Sequence, residues 1–193
     1  MKNKYFTVGP SEVYPTFYKH INKAIKEEIH SLNHRGEKFK KLFKETQDNL
    51  KKLLNIPKNY QIFFVSSALE SMERVVQGCV EKTSFHIITG SFGKAWASYA
   101  SQLGKNVLRY EGVELTGLKV PKEAELICIV QNDTSTGILT PMEDIYKLKG
   151  RYQEKLIALD AVSSIPYVDI NFKYIDVAFF SVQKGFGLPA GLG

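Results

Sequence analysis

From residue 61 onward the chain alternates short, almost wholly apolar runs with longer segments in which apolar residues recur every three or four positions. Leu126-Ile127-Cys128-Ile129-Val130 is one of the short runs, and a run of this kind is typical of a strand buried on both faces. Strands that alternate with helices form a mainly parallel sheet with helices on both sides. The pattern therefore predicts an α/β protein, a three-layer α/β/α sandwich around a mainly parallel mixed sheet.

The predicted elements divide the chain into an arm and one domain. Residues 1–15 contain Gly9-Pro10 and Pro15 and show no apolar period, so we expect an extended N-terminal arm. Helical spacing begins after the arm and opens a domain over 16–193. Helices are predicted over 16–31, 37–54, 68–79, 92–103 and 141–149. Strands are predicted over 61–66, 86–89, 106–110, 126–130, 155–159 and 176–181.

Composition excludes several classes of protein. Of 193 residues 44% are hydrophobic and 24% are charged, which are values typical of a globular domain. A chain of this length can bury a core without disulfides. No stretch of about 18 residues lacks charge, which argues against a transmembrane helix and a membrane partner. No apolar signal region precedes Gly9-Pro10, so we expect a cytoplasmic protein.

Cys79 and Cys128 lie in apolar runs and are interpreted as buried thiols. His30 and His34 lack the glutamate of a zincin motif, so no metal is expected.

The positive charge does not indicate a nucleic-acid partner. The 26 Lys and Arg exceed the 20 Asp and Glu by six, and much of the excess lies on the two helices predicted before residue 55. A nucleic-acid surface usually interleaves arginine with aromatic residues on one face. Arginine is scarce here, so these lysines are interpreted as solvated helix faces. The charge would also suit a small anionic substrate.

In a parallel sheet, ligands bind where the strands end, so the residues after each predicted strand are candidates for function. Ser67, Ala68 and Leu69 follow the first strand and open a helix. The free N–H groups of such a helix start can cradle a phosphate, although the same residues also suit an ordinary serine N-cap.

Asp160 and Lys184 each end a strongly apolar strand, where a charged group needs a partner. One interpretation is an Asp–Lys ion pair at the edge of the sheet. The other is a site for pyridoxal phosphate, in which a desolvated lysine condenses with the aldehyde and a carboxylate keeps the pyridine nitrogen protonated. Phe92 and Val162 would then lie on the two faces of the ring, and Thr134 would donate to the ring hydroxyl.

Four motifs in the expected order resemble those of class V aminotransferases, pyridoxal-phosphate enzymes of fold type I. They are Asp160-Ala161-Val162-Ser163-Ser164, Ser181-Val182-Gln183-Lys184, and the segments 132–137 and 90–93. The resemblance implies that Lys184 is the Schiff-base lysine and Asp160 the partner of the pyridine nitrogen. It implies further cofactor contacts from Ser67, Ala68, Leu69, Phe92, Thr134, Val162 and Gln183. Phe92 stands where the family usually has tryptophan.

The resemblance also implies an activity, transamination between a small-molecule amino acid and a 2-oxo acid by a homodimer. His34 and Arg35 resemble the pair that binds the substrate phosphate in phosphoserine aminotransferases, whereas residues 66–73 resemble the alanine–glyoxylate branch. We favour the phosphoserine type slightly over an alanine/serine–glyoxylate type. A cofactor-free remnant or binding domain is the alternative from another class. The family's C-terminal small domain is absent from these residues, so the predicted large domain is incomplete.

Overall fold

The structure is a computed structural model and describes residues 7–193, so the first six residues of the predicted arm lie outside it. Helices are α1 (Phe17–Lys26), α2 (Glu37–Leu53), α3 (Ala68–Cys79), α4 (Ser91–Gln102) and α5 (Met142–Arg151), with a 3-10 turn at Ile29–Ser31. Strands are β1 (Thr83–Ile88), β2 (Asn106–Glu111), β3 (Leu126–Val130), β4 (Asn132–Asp133), β5 (Ile138–Leu139), β6 (Leu156–Asp160) and β7 (Val177–Phe179).

Five strands form one sheet in the order β2-β1-β3-β6-β7, and all of its pairings are parallel. Val130 pairs with Asp160, and Asp160 pairs with Phe179 on the other side. The carboxyl ends of β3, β6 and β7 therefore meet at one edge. The antiparallel pairing is confined to a separate hairpin, β4-β5, which leaves that edge directly after β3.

The core lies in two layers because successive side chains of each strand point to opposite faces. Ile127 and Ile129 of β3 pack in the cluster that contains Leu148 of α5. Leu126 and Cys128, on the opposite face of β3, pack in a second cluster with α3 and α4, whose side chains there include Met72, Val76 and Trp96. Helices thus cover both faces of the sheet, which confirms the predicted three-layer fold.

Three predicted elements differ in the structure. Residues 61–66 form no strand; Val65 instead exchanges both backbone hydrogen bonds with Gly193, each at 2.9 Å. The helix predicted over 16–31 ends at Lys26, because Glu28 adopts a left-handed backbone with φ of 52°. The last strand is shorter than predicted, since only Val177–Phe179 pairs with β6.

Other expectations concern the surface and the thiols. No helix among residues 7–193 is long and apolar enough to cross a membrane. In the same range no group of three His, Cys, Asp or Glu side chains is placed to hold a metal ion. Both cysteines are free thiols; Cys128 is buried, but Cys79 is only half-buried, because it lies at the end of α3.

Candidate active site

Lys184 lies in the turn that follows β7, and its backbone is fixed by the segment before α1. The Ser11 hydroxyl donates to the Lys184 carbonyl at 2.6 Å, and the Ser11 N–H donates to the Gln183 carbonyl at 2.7 Å. Gly9 packs against the lysine side chain, since a Cβ there would lie 2.8 Å from Lys184 Cε. Gly9 also has a φ of 140°, so only glycine suits this position.

The amine of Lys184 faces two other strand-end segments. Lys184 Nζ donates to the Ser163 hydroxyl at 3.4 Å, in the loop after β6. It also lies 6.0 Å from the ring centroid of Phe92, the second residue of α4. The structure therefore brings Lys184, Phe92 and the loop after β6 to one place at the carboxyl edge of the sheet.

Asp160 is the last residue of β6 and is 4% exposed. Its pKa is raised to about 7, mainly by burial. The N–H of Val162 donates to Asp160 Oδ1 at 2.9 Å and lowers the pKa. Of the nearby charges, that of Asp133 raises the pKa and that of Lys184 lowers it. Because a buried carboxylate is unfavourable without a counter-charge, Asp160 is suited to face a cationic group.

Phe92 and Thr134, two of the predicted ring contacts, are linked through Asp133. The Asp133 carboxylate is fully buried, and its Oδ2 accepts the N–H of Phe92 at 3.1 Å. Thr134 follows Asp133 directly and lies in the turn between β4 and β5. The start of α4 and the β4–β5 hairpin therefore form one unit at the edge of the sheet.

Polar groups without a partner occur at the start of α3 and in the segment after β7. The Ser67 hydroxyl accepts the N–H of Glu70 at 3.1 Å, as expected for an N-cap. The N–H groups of Ala68 and Leu69 donate to no acceptor within residues 7–193. In the same range Ser181 Oγ and Gln183 Oε1 are buried without a hydrogen-bond partner.

The exit of β7 lies beside this helix start, because Gly193 sits between them. A Cβ on Gly193 would lie 3.0 Å from the Ser67 carbonyl carbon and 3.1 Å from the Phe180 oxygen. Buried polar groups normally have partners, so this cluster is suited to a polar ligand.

Comparison with known proteins shows the family of this chain. The family model described as aminotransferase class-V matches residues 10–193. The chain belongs to the class V aminotransferases. Among its relatives, the phosphoserine aminotransferase of Corynebacterium glutamicum is 28% identical over 193 residues, covering 97% of this chain and 50% of the relative.

Two solved structures are also similar to this class V chain. A phosphoserine aminotransferase from Cytophaga hutchinsonii shares 46% identity with a TM-score of 0.95, covering 98% of this chain and 54% of that one. The pyridoxal-phosphate-bound phosphoserine aminotransferase of Trichomonas vaginalis shares 21% identity with a TM-score of 0.79, covering 97% and 59%, and shows the fold alone. The chain spans about half the length of the curated relatives it matches.

His34 and Arg35 lie apart from the other predicted site residues of this class V aminotransferase. Both are exposed in the turn before α2, where the Arg35 N–H donates to Asn33 Oδ1 at 2.9 Å. Within residues 7–193 no hydrogen bond or ion pair joins either side chain to Lys184 or Asp160. The structure thus places Lys184, Phe92, Asp160 and Val162 at one edge of the sheet, but it does not bring the predicted substrate pair to them.

Sequence reasoning missed several residues at this edge of the class V chain: Gly9, Ser11, Asp133, Ser163 and Ser181. Asp133 and Ser163 lie inside motifs that were recognised, and each stands beside a residue that was singled out. Asp133 stands three positions after Val130, the end of an apolar strand, so an acid close behind such a strand is the signal by which it could be found.

Proposed function

We propose that this chain is the cofactor-binding part of a pyridoxal-phosphate-dependent aminotransferase of the phosphoserine type. Such an enzyme moves an amino group between an amino acid and a 2-oxo acid. The observation that carries the proposal is the convergence of the Lys184 amine, the Phe92 ring and the buried Asp160 carboxyl at one edge of the sheet. The family match and the names of its relatives support it.

The residues present fit pyridoxal phosphate. The unpartnered N–H groups of Ala68 and Leu69, with the buried atoms Gln183 Oε1 and Ser181 Oγ, suit the phosphate. The raised pKa of Asp160 suits a position beside the ring nitrogen, because a cationic neighbour stabilises the ionised form of a buried acid. The remaining predicted contacts are Ser67 at the phosphate, Phe92 and Val162 on the two faces of the ring, Thr134 at the ring hydroxyl and Lys184 at the aldehyde.

Pyridoxal phosphate, when bound, supplies an aldehyde that condenses with amines and a ring that withdraws electrons from the attached carbon. The Lys184 amine then acts as the general base that takes the proton from the substrate Cα, and later returns it as general acid. Ser163 orients that amine through the hydrogen bond to its hydroxyl. Asp160 holds the proton on the ring nitrogen, and the Phe92 ring, 6.0 Å from the amine, lies at the side of the site.

For the substrate, we propose a phosphorylated amino acid, with His34 and Arg35 as the phosphate-binding pair. Both are exposed and neither contacts the Lys184 site within this chain. We therefore propose that the pair serves the site of the second subunit in a homodimer. Arginine forms bidentate hydrogen bonds with phosphate oxygens, which supports its choice for this role.

The first experiment adds pyridoxal phosphate to the full-length protein and records absorbance from the near-ultraviolet into the visible. Wild-type protein should develop a new band, and Lys184→Ala should not. Lys82→Ala is the control, because that exposed lysine lies at the opposite edge of the sheet, before β1, and should leave the band intact. A band that persists unchanged in Lys184→Ala would contradict the proposal; no band in wild-type protein would favour a cofactor-free domain.

The second experiment compares turnover of phosphoserine and alanine with 2-oxo acceptors. We expect phosphoserine to be the better donor, and Arg35→Ala to lower its turnover by about 10-fold or more while leaving alanine turnover unchanged. Faster turnover of alanine would favour the alanine/serine–glyoxylate type instead. Unchanged phosphoserine turnover in Arg35→Ala would show that the arginine does not bind the phosphate.

A further inference from the structure

We propose that Asp133 is a positioning residue of this site, whose one carboxylate sets the places of Phe92 and Thr134 on the cofactor ring. The inference rests on the proposed function. Asp133 itself is not among the site residues predicted from the sequence. It acts instead through the two segments that it joins.

The carboxylate caps a helix that cannot cap itself. The N-cap of α4 is Gly90, which has no side chain to offer the first N–H groups. Asp133 Oδ2 accepts the N–H of Phe92 at 3.1 Å and that of Gly93 at 3.3 Å. The remaining N–H, from Ser91, donates to the Ser135 hydroxyl at 2.8 Å. All three donors of this first turn are therefore held by the β4–β5 hairpin.

The same carboxylate also fixes the hairpin. Asp133 Oδ1 accepts the N–H of Ser135 at 3.1 Å and its hydroxyl at 2.6 Å. Thr134 lies between these two residues, so its backbone is held on both sides. Phe92 and Thr134 are more than 40 positions apart in sequence, and the Asp133 carboxylate joins the backbone at Phe92 to the backbone at Ser135, next to Thr134.

Packing around the carboxylate leaves little freedom. A Cβ on Gly90 would lie 2.5 Å from Asp133 Cγ and 2.5 Å from Ser135 Oγ. The Asp133 carboxylate and the Ser135 hydroxyl together clamp the start of α4 to the hairpin, and glycine at position 90 makes room for this clamp. The Asp133 side chain is also fully buried, and hydrogen bonds to a charged acceptor are strong where water is excluded.

Asp133 has a second, electrostatic connection with the site. Its negative charge raises the pKa of Asp160, although burial is the larger cause. Removal of that charge should therefore lower the pKa of Asp160. The pH range over which the protein binds pyridoxal phosphate should move to lower pH, an effect that a purely structural residue would not produce.

The structure offers a control carboxylate at the start of β3, the strand that ends shortly before Asp133. Glu125 directly precedes β3 and accepts the N–H groups of Lys82 at 2.9 Å and Thr83 at 3.0 Å. It is thus a second carboxylate that clamps backbone amides, but at the edge opposite the site. Loss of either clamp should reduce stability, whereas only loss of Asp133 should affect the cofactor.

The experiment titrates full-length protein with pyridoxal phosphate, following the new absorbance band, for Asp133→Asn, Ser135→Ala and Glu125→Gln. We expect the dissociation constant to rise about 10- to 100-fold in Asp133→Asn, to rise by a smaller factor in Ser135→Ala, and to stay within about 2-fold in Glu125→Gln. Titrations from pH 6 to pH 9 should show the binding profile of Asp133→Asn displaced to lower pH.

Thermal unfolding without cofactor shows which variants fold. If Asp133→Asn does not fold, Ser135→Ala decides, because it removes one side of the clamp and keeps the carboxylate. Wild-type affinity in a folded Asp133→Asn, or in Ser135→Ala when it alone folds, would overturn the inference. An equal loss in Glu125→Gln would also overturn it. Failure of wild-type protein to bind the cofactor would instead refute the proposed function.

Discussion

Replacing Asp160 by asparagine is expected to stabilise the cofactor-free protein at alkaline pH and to weaken its binding of pyridoxal phosphate. Asp160 is 4% exposed, and burial is the main cause of its raised pKa. Asparagine has nearly the same shape and keeps an oxygen for the Val162 N–H, but it carries no charge. The substitution therefore isolates the cost of burying this carboxylate.

The magnitude follows from the two pKa values. An ordinary aspartate has a pKa of 3.8, and Asp160 in the folded protein has a pKa of about 7. Since the folded state binds this proton more tightly, stability is lost as pH rises from 3.8 to 7 and stays lost above that. The loss amounts to about 1 kcal/mol at pH 4.5 and about 4 kcal/mol at pH 8.5.

The assay is urea unfolding of cofactor-free, full-length protein at pH 4.5 and pH 8.5. The asparagine amide lacks an acceptor, which costs about 1–3 kcal/mol, but this cost is the same at both pH values. The stability of Asp160→Asn relative to wild type should therefore improve by about 3 kcal/mol between pH 4.5 and pH 8.5. Asp169→Asn, at an exposed position, should show a change below about 0.5 kcal/mol.

A pH-independent difference between Asp160→Asn and wild type would refute this reasoning, because it would show that the carboxylate is not desolvated in the folded state. A relative loss of stability at pH 8.5 would show that Lys184 already neutralises Asp160 fully without a ligand. In either case Asp160 would be an ordinary ion-pair partner at the edge of the sheet.

Two further predictions concern residues beneath the site. Gly90→Ala should lower the free energy of unfolding by about 1–3 kcal/mol in a urea titration, because its Cβ would lie 2.5 Å from Asp133. The control is Gly78→Ala, in α3 with open space around it, which should be neutral or stabilising by up to about 1 kcal/mol. His86 is buried and its pKa is lowered from 6.5 to about 4, so the protein should lose about 3 kcal/mol of stability as pH falls from 6.5 to 4, and His86→Gln should remove that part of the pH dependence.

The sheet and its central strands could be predicted because their patterning is local. The run from Leu126 to Val130 is apolar on both faces, and it forms a fully buried strand between two parallel neighbours. Residues 61–66 carry the same local signal but form no strand, because pairing depends on a partner that the pattern cannot specify. Phe63 of that segment is 79% exposed.

The residues of the candidate site likewise divide into those with a local signal in the sequence and those placed by non-local contacts. Asp160 and Lys184 could be singled out because parallel strands bring their carboxyl ends to one edge. The close approach of Gly9 to Lys184 could not, since it joins residues at opposite ends of the chain. The hydrogen bonds of Asp133 with α4 are also non-local, and no spacing in the sequence indicates which N–H groups a buried acid will meet.

Asp133 lies shortly after β3 and Asp160 ends the neighbouring strand β6, and both are buried, yet they differ in the hydrogen bonds that they accept. Asp133 accepts from four donors on two segments, whereas the Asp160 side chain accepts one hydrogen bond from within residues 7–193, from Val162. An acid supplied with donors stabilises the fold it joins. An acid left short of donors costs stability until a cationic group lies beside it, and that deficit supports our proposal that Asp160 binds a protonated ring.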